Sequence, residues 1–327
     1  MNETNHRPAS FAEYVGQTQA KTVLQILCKS AKKKGTSICH TMLSGRPGLG
    51  KTTLCRILAN EMGSNLIELI ASNLQDPQQL TAQLAGLQEN DILFIDEIHS
   101  LPRAVEEILY SAMEDGRITM VVESEYGDLM KNLGMSSKQT RTVTLDLPPF
   151  TFIGATTLAG MVSAPLRSRF IQTLDLEPYA IDELKQIVQN ASSKMNFDIS
   201  PTLAIEVAKR ARNTARIALG HLKWIIEYCI ATDSSASTQT VTEAFILKGI
   251  DDNGLTKIDR SYLQLLVNAK SPVGLNSIAA SLGESSQTLS ESVEPYLMQE
   301  GYIRRANRGR VAEQKAFNLI LKMEVCT

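Results

Sequence analysis

The sequence predicts an α/β protein: a doubly wound parallel sheet, then a small helical domain and a C-terminal winged helix. Three observations carry this. Short β-rich runs alternate with longer amphipathic ones between Ile38 and Ala155; the pattern turns wholly helical after Tyr179; and three short helical patterns beyond Asp252 end in a basic extended piece over residues 301–311.

In the first part, β-type runs at residues 38–43, 66–70, 92–95 and 150–155 are separated by helical patterns at 52–61, 78–87 and 105–113. Strands spaced by helices imply right-handed crossovers and a sheet covered on both faces. Residues 116–147 interrupt the alternation with β-branched pairs at 118–122 and 142–145 around a polar middle, which predicts a protruding hairpin. At the N-terminus, residues 1–8 are polar, and residues 11–27 suit a helix after a turn at Gly16. The basic run of Lys29, Lys32, Lys33 and Lys34 reads as a solvated face leading to Gly35. Helical patterns at 181–191, 201–212, 215–231 and 241–248 form the second part. Around 262–267, 275–282 and 288–299 lie the three helices of the third. The expected domains are therefore residues 1–179, 180–252 and 253–327.

Size and composition agree with several cores. The 327 residues are 43% hydrophobic and 21% charged, ordinary for a globular protein. With 33 basic against 35 acidic side chains, bulk charge gives no argument for nucleic-acid binding, so any such contact must be local. Five widely spaced cysteines, Cys28, Cys39, Cys55, Cys229 and Cys326, lack zinc or redox spacing and read as reduced thiols. Without an apolar leader or a run of about 20 apolar residues, the expected location is cytoplasmic, with no membrane partner.

The chemistry lies at the ends of the predicted strands. Gly45-Arg-Pro-Gly-Leu-Gly-Lys51-Thr52 satisfies G-x-x-x-x-G-K-[ST] and lies between a predicted strand and a predicted helix. Glycines such as Gly48 and Gly50 let backbone N–H groups turn towards phosphates, Lys51 reaches the β and γ groups, and Thr52 ligates Mg²⁺. ATP and Mg²⁺ are the expected cofactors. Ile92-Leu-Phe-Ile-Asp96-Glu97 ends a buried strand in two carboxylates, placing Asp96 near the metal and Glu97 where it polarises water. Phe150-Thr-Phe-Ile-Gly-Ala-Thr156-Thr157 brings two hydroxyls to the same edge, where open sheets bind ligands. Either threonine can sense the γ-phosphate or position water. Pro165-Leu-Arg167-Ser-Arg169-Phe170 supplies arginines that a neighbouring subunit's γ-phosphate could use. Arg216 opens a helix of the second part and can reach the nucleotide of its own chain.

Together these segments resemble the RuvB family of bacterial Holliday-junction branch-migration motors, within the AAA+ ATPases, over nearly the whole chain. The segments that carry the resemblance include Arg7-Pro8, Tyr14-Val15-Gly-Gln17, Gly48 to Thr53, Leu93 to His99, Ala112-Met-Glu-Asp115, Asp146 to Thr151, Gly154 to Thr157 and Arg308-Gly-Arg-Val311. The resemblance implies an AAA+ domain, a helical lid and a winged helix. It implies a homo-oligomeric ring, hexameric in that family, that moves duplex DNA at a four-way junction beside the junction-binding partner RuvA. By the same resemblance Arg7, Tyr14 and Val15 border the adenine, Thr53 joins the loop residues, Tyr179 and Arg216 complete the pocket, Arg169 acts in trans, and Arg305 and Arg310 meet DNA phosphate. Independently, Arg304, Arg305, Arg308 and Arg310 crowd into residues 301–310 with no acidic neighbour, a local electrostatic footprint of the kind phosphate contacts need.

The sequence departs from the family pattern at Arg46, Ser100, Gly116, Leu158, Ile171, Asn213 and Ala215, none of which carries an assigned catalytic role. A further departure is the stretch from Tyr126 to Arg141, which lengthens the predicted hairpin by about a dozen residues. That hairpin docks RuvA in the family, so the partner is where this chain is expected to differ. The competing function is an AAA+ loader or nucleotide switch with a partner other than RuvA. A scaffold with a degenerate site fits poorly with Lys51, Asp96, Glu97 and Arg169 all in place.

Overall fold

The computed structural model describes residues 7–123 and 140–325. The chain divides into two compact units, Met1–Glu183 with Thr214–Arg216, and Leu184–Asn213 with Ile217–Thr327.

The first unit is built on a five-stranded sheet in the order β2-β3-β6-β1-β7, formed by β1 (Thr41–Ser44), β2 (Leu66–Ile70), β3 (Ile92–Asp96), β6 (Thr151–Thr156) and β7 (Gln172–Asp175). Every pairing is parallel. All four residues of β1 and all six of β6 are buried, as expected of central strands covered on both faces. Crossovers run through α2 (Lys51–Met62), α3 (Pro77–Ala85) and α4 (Arg103–Glu114). A core cluster joins Leu93, Ile95, Leu109, Phe152, Leu166 and Phe170, with the Phe152 and Phe170 rings 5.3 Å apart.

The first helix differs from its expected place. α1 runs Thr18–Lys34, so the basic run belongs to its last turns. Ala20, Leu24, Cys28 and Ala31 form its buried stripe at helical spacing, while Lys32, Lys33 and Lys34 sit at its C-terminus, where the helix dipole favours cations. β7 was not foreseen: it has four residues and one fully buried side chain, Leu174, which leaves no periodic signal. The expected hairpin is present as antiparallel β4 (Arg117–Glu123) and β5 (Thr140–Asp146). The polar extension beginning at Tyr126 lies outside the described residues up to position 139, as does Cys326. Cys28, Cys39, Cys55 and Cys229 are free thiols.

The second unit opens with four helices, α6 (Ile181–Lys194, whose first turn belongs to the first unit), α7 (Pro201–Lys209), α8 (Ala215–Ala231) and α9 (Thr238–Leu247). It continues with α10 (Lys257–Asn268), α11 (Leu275–Leu282) and a bent helical stretch over 286–299 whose last part is α12 (Glu294–Gln299). The antiparallel wing of β8 (Ile303–Ala306) and β9 (Gly309–Ala312) follows, then α13 (Gln314–Val325). Its apolar centre gathers Tyr262, Leu263, Leu266, Ile278, Leu289, Leu297 and Ile303. Among the described residues no helix is long and apolar enough to cross a membrane.

Phe152 is 0% exposed at the middle of the sheet. Phe152→Ala should therefore cost about 3–5 kcal/mol in chemical unfolding of the first unit, and a cost within error of zero would show that this cluster does not hold the sheet.

Candidate active site

The nucleotide loop runs from β1, which ends at Ser44, into α2, which starts at Lys51 with Gly50 as its N-cap. Gly48 and Gly50 hold φ of 80° and 103°, a region that side chains rarely adopt. A Cβ on Gly50 would lie 2.3 Å from the Tyr14 hydroxyl, and one on Gly48 would lie 2.6 Å from Thr214 Cγ2. Glycine is thus required at both turns. The first amides of α2 lack intrahelical acceptors, which makes the helix start an anion cradle.

Lys51 is only 6% exposed, and its Nζ donates to the carbonyls of Gly45 at 2.6 Å and Arg46 at 3.3 Å. Burial pushes its ammonium below the usual lysine range, Glu97 and Asp96 oppose that shift, and Arg216 adds to it. Asp96, at the end of β3, has its carboxyl raised by burial and then by Glu97, against the pull of Lys51 and Arg216. Asp96 and the hydroxyl of Thr52, in the first turn of α2, are hard oxygen donors of the kind that could hold Mg²⁺, a cation that needs few protein ligands when phosphates supply the rest.

Glu97 is itself held. Its backbone is left-handed at φ 56°, and its Oε2 accepts from Thr157 N at 3.1 Å and Thr157 Oγ1 at 2.8 Å. His99 Nδ1 lies 3.2 Å from the same oxygen and shares a 3.0 Å hydrogen bond with Thr156 Oγ1. Thr156 is 0% exposed and also accepts from Leu158 N. The two threonines thus separate: Thr157 reaches the carboxylate, whereas Thr156 is buried behind it.

Tyr14 and Tyr179, both buried, are hydrogen-bonded hydroxyl to hydroxyl at 2.9 Å, and the pair lies against Leu49 O, 3.4 Å and 3.0 Å from the two oxygens. Their polar ends brace the loop. Arg216 N donates to Gly48 O at 3.4 Å, so the Thr214–Arg216 segment lies against the same loop. Arg7 and Val15 are half-buried, as are Thr52 and Thr53. Arg169 stands on the loop after the short helix α5 (Ala164–Arg167) and pairs with Glu114 at 2.7 Å. Arg167 folds back onto the carbonyls of Ala159 and Val162.

Sequence reasoning gave no role to His99, although it lies two residues after Glu97. It also missed the hydrogen bond from Ser44 to Asp175 beside the loop, because Asp175 ends the unforeseen strand β7.

In the wing, the four arginines are not equivalent. Glu294, 0% exposed, accepts from Arg310 Nε at 2.6 Å, from Arg305 at 3.3 Å and from Tyr262 OH at 2.7 Å. Arg310 is 17% exposed in its side chain, whereas Arg305 is 62% exposed. Arg304 pairs with Glu313 at 2.5 Å. A cleft is lined by Pro272 and residues 304–308, with Arg308 exposed at its rim.

Three family models match in succession: the Holliday junction DNA helicase RuvB P-loop domain over residues 6–176, the RuvB AAA lid domain over 179–251 and the RuvB C-terminal winged helix domain over 252–321. The chain belongs to the RuvB family. The RuvB branch migration subunit of Campylobacter fetus subsp. fetus is 41% identical over 318 residues, 97% of this chain and 89% of that protein. That of Kosmotoga olearia is 43% identical over 314 residues, 95% and 88% of the two chains. Among solved structures, the Thermotoga maritima RuvB Holliday junction branch migration motor has a TM-score of 0.82 at 38% identity, covering 97% of this chain and 99% of that one. The Aeropyrum pernix ORC2 protein, at 14% identity and a TM-score of 0.57, shares the fold alone. As a RuvB chain with a P-loop domain, the protein is a nucleotide-binding AAA+ ATPase.

Two outcomes follow from the geometry. Thr157→Val removes the hydroxyl that holds Glu97, and should lower turnover by about one to two orders of magnitude with nucleotide affinity nearly unchanged; equal losses in both would assign Thr157 to binding instead. Burial alone would raise the Glu294 carboxyl, but Arg310, Tyr262 and Arg305 together hold it below its ordinary value of 4.5. A depressed folded-state value contributes stability that is complete above the unfolded value and is lost as pH falls through the folded one. Amide exchange in α10 and α12 should therefore quicken on acidification below the ordinary value of 4.5. Glu294→Gln should abolish that dependence while costing about 3 kcal/mol at neutral pH.

Proposed function

We propose that the chain is an ATP-driven motor of RuvB type that translocates duplex DNA and drives branch migration of Holliday junctions in recombination and repair. The observation that carries this reading is the meeting of Lys51, Asp96 and Glu97 at one sheet edge, with Thr157 holding the glutamate, in a chain that matches RuvB from the P-loop to the wing. A loader or switch is not favoured, since the relatives matched over nearly the full chain are named as branch migration subunits.

The residues divide the work. Gly48, Gly50, Thr53 and the start of α2 cradle the phosphates, and Lys51 gives up its two carbonyl acceptors for β- and γ-phosphate oxygens. Thr52 and Asp96 would hold Mg²⁺, which when bound would supply positive charge against the negative charge of the phosphates. Glu97 accepts a proton from the attacking water, and Thr157 fixes the direction in which its carboxylate points. Arg7, Tyr14, Val15 and Tyr179 enclose the base side of the pocket. Arg216 reports the nucleotide state of its own chain, and Arg169 completes the site of the next protomer in a hexameric ring. Residues 1–179 serve as the ATPase domain, 180–252 as the lid and 253–327 as the DNA-binding winged helix. Arg305 and Arg308 meet DNA phosphate, while Arg310 chiefly shapes the wing through Glu294. A RuvA-type partner docks through residues 116–147, and the cytoplasm is the working compartment.

The test is ATP-dependent dissociation of a synthetic four-way junction, with and without a RuvA. Wild-type protein should move the junction, faster with the partner. Lys51→Ala should bind no nucleotide, Glu97→Gln should bind without turning over, and Arg169→Ala should lose about a thousandfold in turnover. Stimulated ATPase with no junction movement would overturn the motor reading.

A further inference from the structure

One face of α4 grips the loop that carries Arg169. Along this helix Glu106, Tyr110 and Glu114 follow at intervals of four, a spacing that places side chains one above another on the same face. All three contact residues 163–169. Glu106, 7% exposed, accepts through Oε2 from Ser163 Oγ at 2.7 Å and from Tyr110 OH at 2.7 Å. Ser163 in turn caps α5, accepting from Leu166 N at 3.3 Å. One turn further on, the Tyr110 ring lies 4.5 Å from the guanidinium carbon of Arg169. At the end of the stripe, Glu114 Oε2 accepts from Arg169 Nη2 at 2.7 Å, and Pro165 O accepts from Nη1 at 2.8 Å.

This grip orients Arg169 without saturating it. Its Nε is buried and has no hydrogen-bond partner among the described residues. The Glu114 side chain is 63% exposed, so the ion pair is a weak one that a more highly charged anion displaces readily. An arginine on a surface loop otherwise samples many rotamers, and an aromatic face together with a carboxylate hydrogen bond selects a few of them beforehand.

We infer that Glu106, Tyr110 and Glu114 are positioning residues for Arg169. Glu106 anchors the loop to α4; Tyr110 and Glu114 pre-orient the guanidinium for presentation to the triphosphate of the adjacent protomer. This inference rests on the trans-acting role of Arg169 proposed above. The stripe acts on a neighbour's chemistry from outside that neighbour's pocket, so its effect falls on turnover and not on nucleotide affinity.

The experiment measures steady-state ATPase of full-length Glu114→Ala, Glu114→Asp, Tyr110→Leu and Arg169→Ala proteins, alone and mixed with Lys51→Ala protein. Glu114→Ala should lower kcat about ten- to a hundredfold with KM nearly unchanged, the cost of a misplaced catalytic group, and with an unchanged unfolding midpoint. Tyr110→Leu should fall likewise, and Glu114→Asp should recover most of the loss. Adding Glu114→Ala to Arg169→Ala should cost nothing further. Mixing Glu114→Ala with Lys51→Ala protomers should restore turnover, because the Lys51→Ala chains present an intact arginine to competent sites. Full kcat in Glu114→Ala, additivity with Arg169→Ala, or no recovery on mixing would overturn the positioning role. If Arg169→Ala itself kept full turnover, the trans-acting reading would fall first and the platform with it. If only Arg169→Ala were inactive, the platform alone would fall.

Discussion

Everything at the nucleotide site depends on keeping one ammonium group out of water. Lys51 sits at the start of α2 with two loop carbonyls as its hydrogen-bond acceptors and two carboxylates close enough to favour its charge. A desolvated cation is costly unless it has anionic company, and the site supplies that company asymmetrically. Asp96 and Glu97 repel one another, so the carboxylate pair gains from the lysine as much as the lysine gains from it. Such a constellation suits the proposed pairing of Mg²⁺ with a triphosphate, whose opposed charges would meet the carboxylates and the lysine.

The rigidity of the loop comes from residues outside it. Tyr14 and Tyr179 are separated by 165 positions in sequence, yet their hydroxyls converge on the carbonyl of Leu49. Each ring is buried, so the acceptor they share is dry and the hydrogen bonds are stronger than they would be in water. The bond between Arg216 N and Gly48 O ties the same loop to a segment far along the chain. Movement of that segment therefore acts directly on the phosphate cradle.

Much of this was legible in the sequence because it depends on local spacing. The glycine-lysine loop, the apolar run ending in Asp96 and Glu97, and the alternation that gives a parallel sheet are all written within single elements. What escaped was tertiary. β7 is too short to show a period, so its place beside β1 and the role of Asp175 had no local mark. The choice between Thr156 and Thr157 turned on which hydroxyl faces Glu97, and Thr157 lies just past the end of β6, where strand alternation gives no guide. The basic end of α1 was misplaced because charge masks helical periodicity, and only the buried stripe through Ala31 shows that the helix continues. In the wing, an arginine count could not tell a solvent-facing guanidinium from one neutralised by a carboxylate that lies sixteen residues earlier.

That buried carboxylate sets how strongly the wing can respond to ionic conditions. Of four arginines, Arg310 is neutralised by Glu294 and Arg304 by Glu313. Arg305 shares Glu294 at 3.3 Å but is 62% exposed, and Arg308 is exposed as well. Each phosphate neutralised on duplex DNA releases a little under one condensed counterion, roughly 0.9 per contact. With Arg305 and Arg308 as the proposed phosphate contacts, a single wing would displace about two cations. On that proposal each wing would hold the duplex lightly, and many light holds around the proposed ring would suit repeated release and re-gripping better than one tenacious contact.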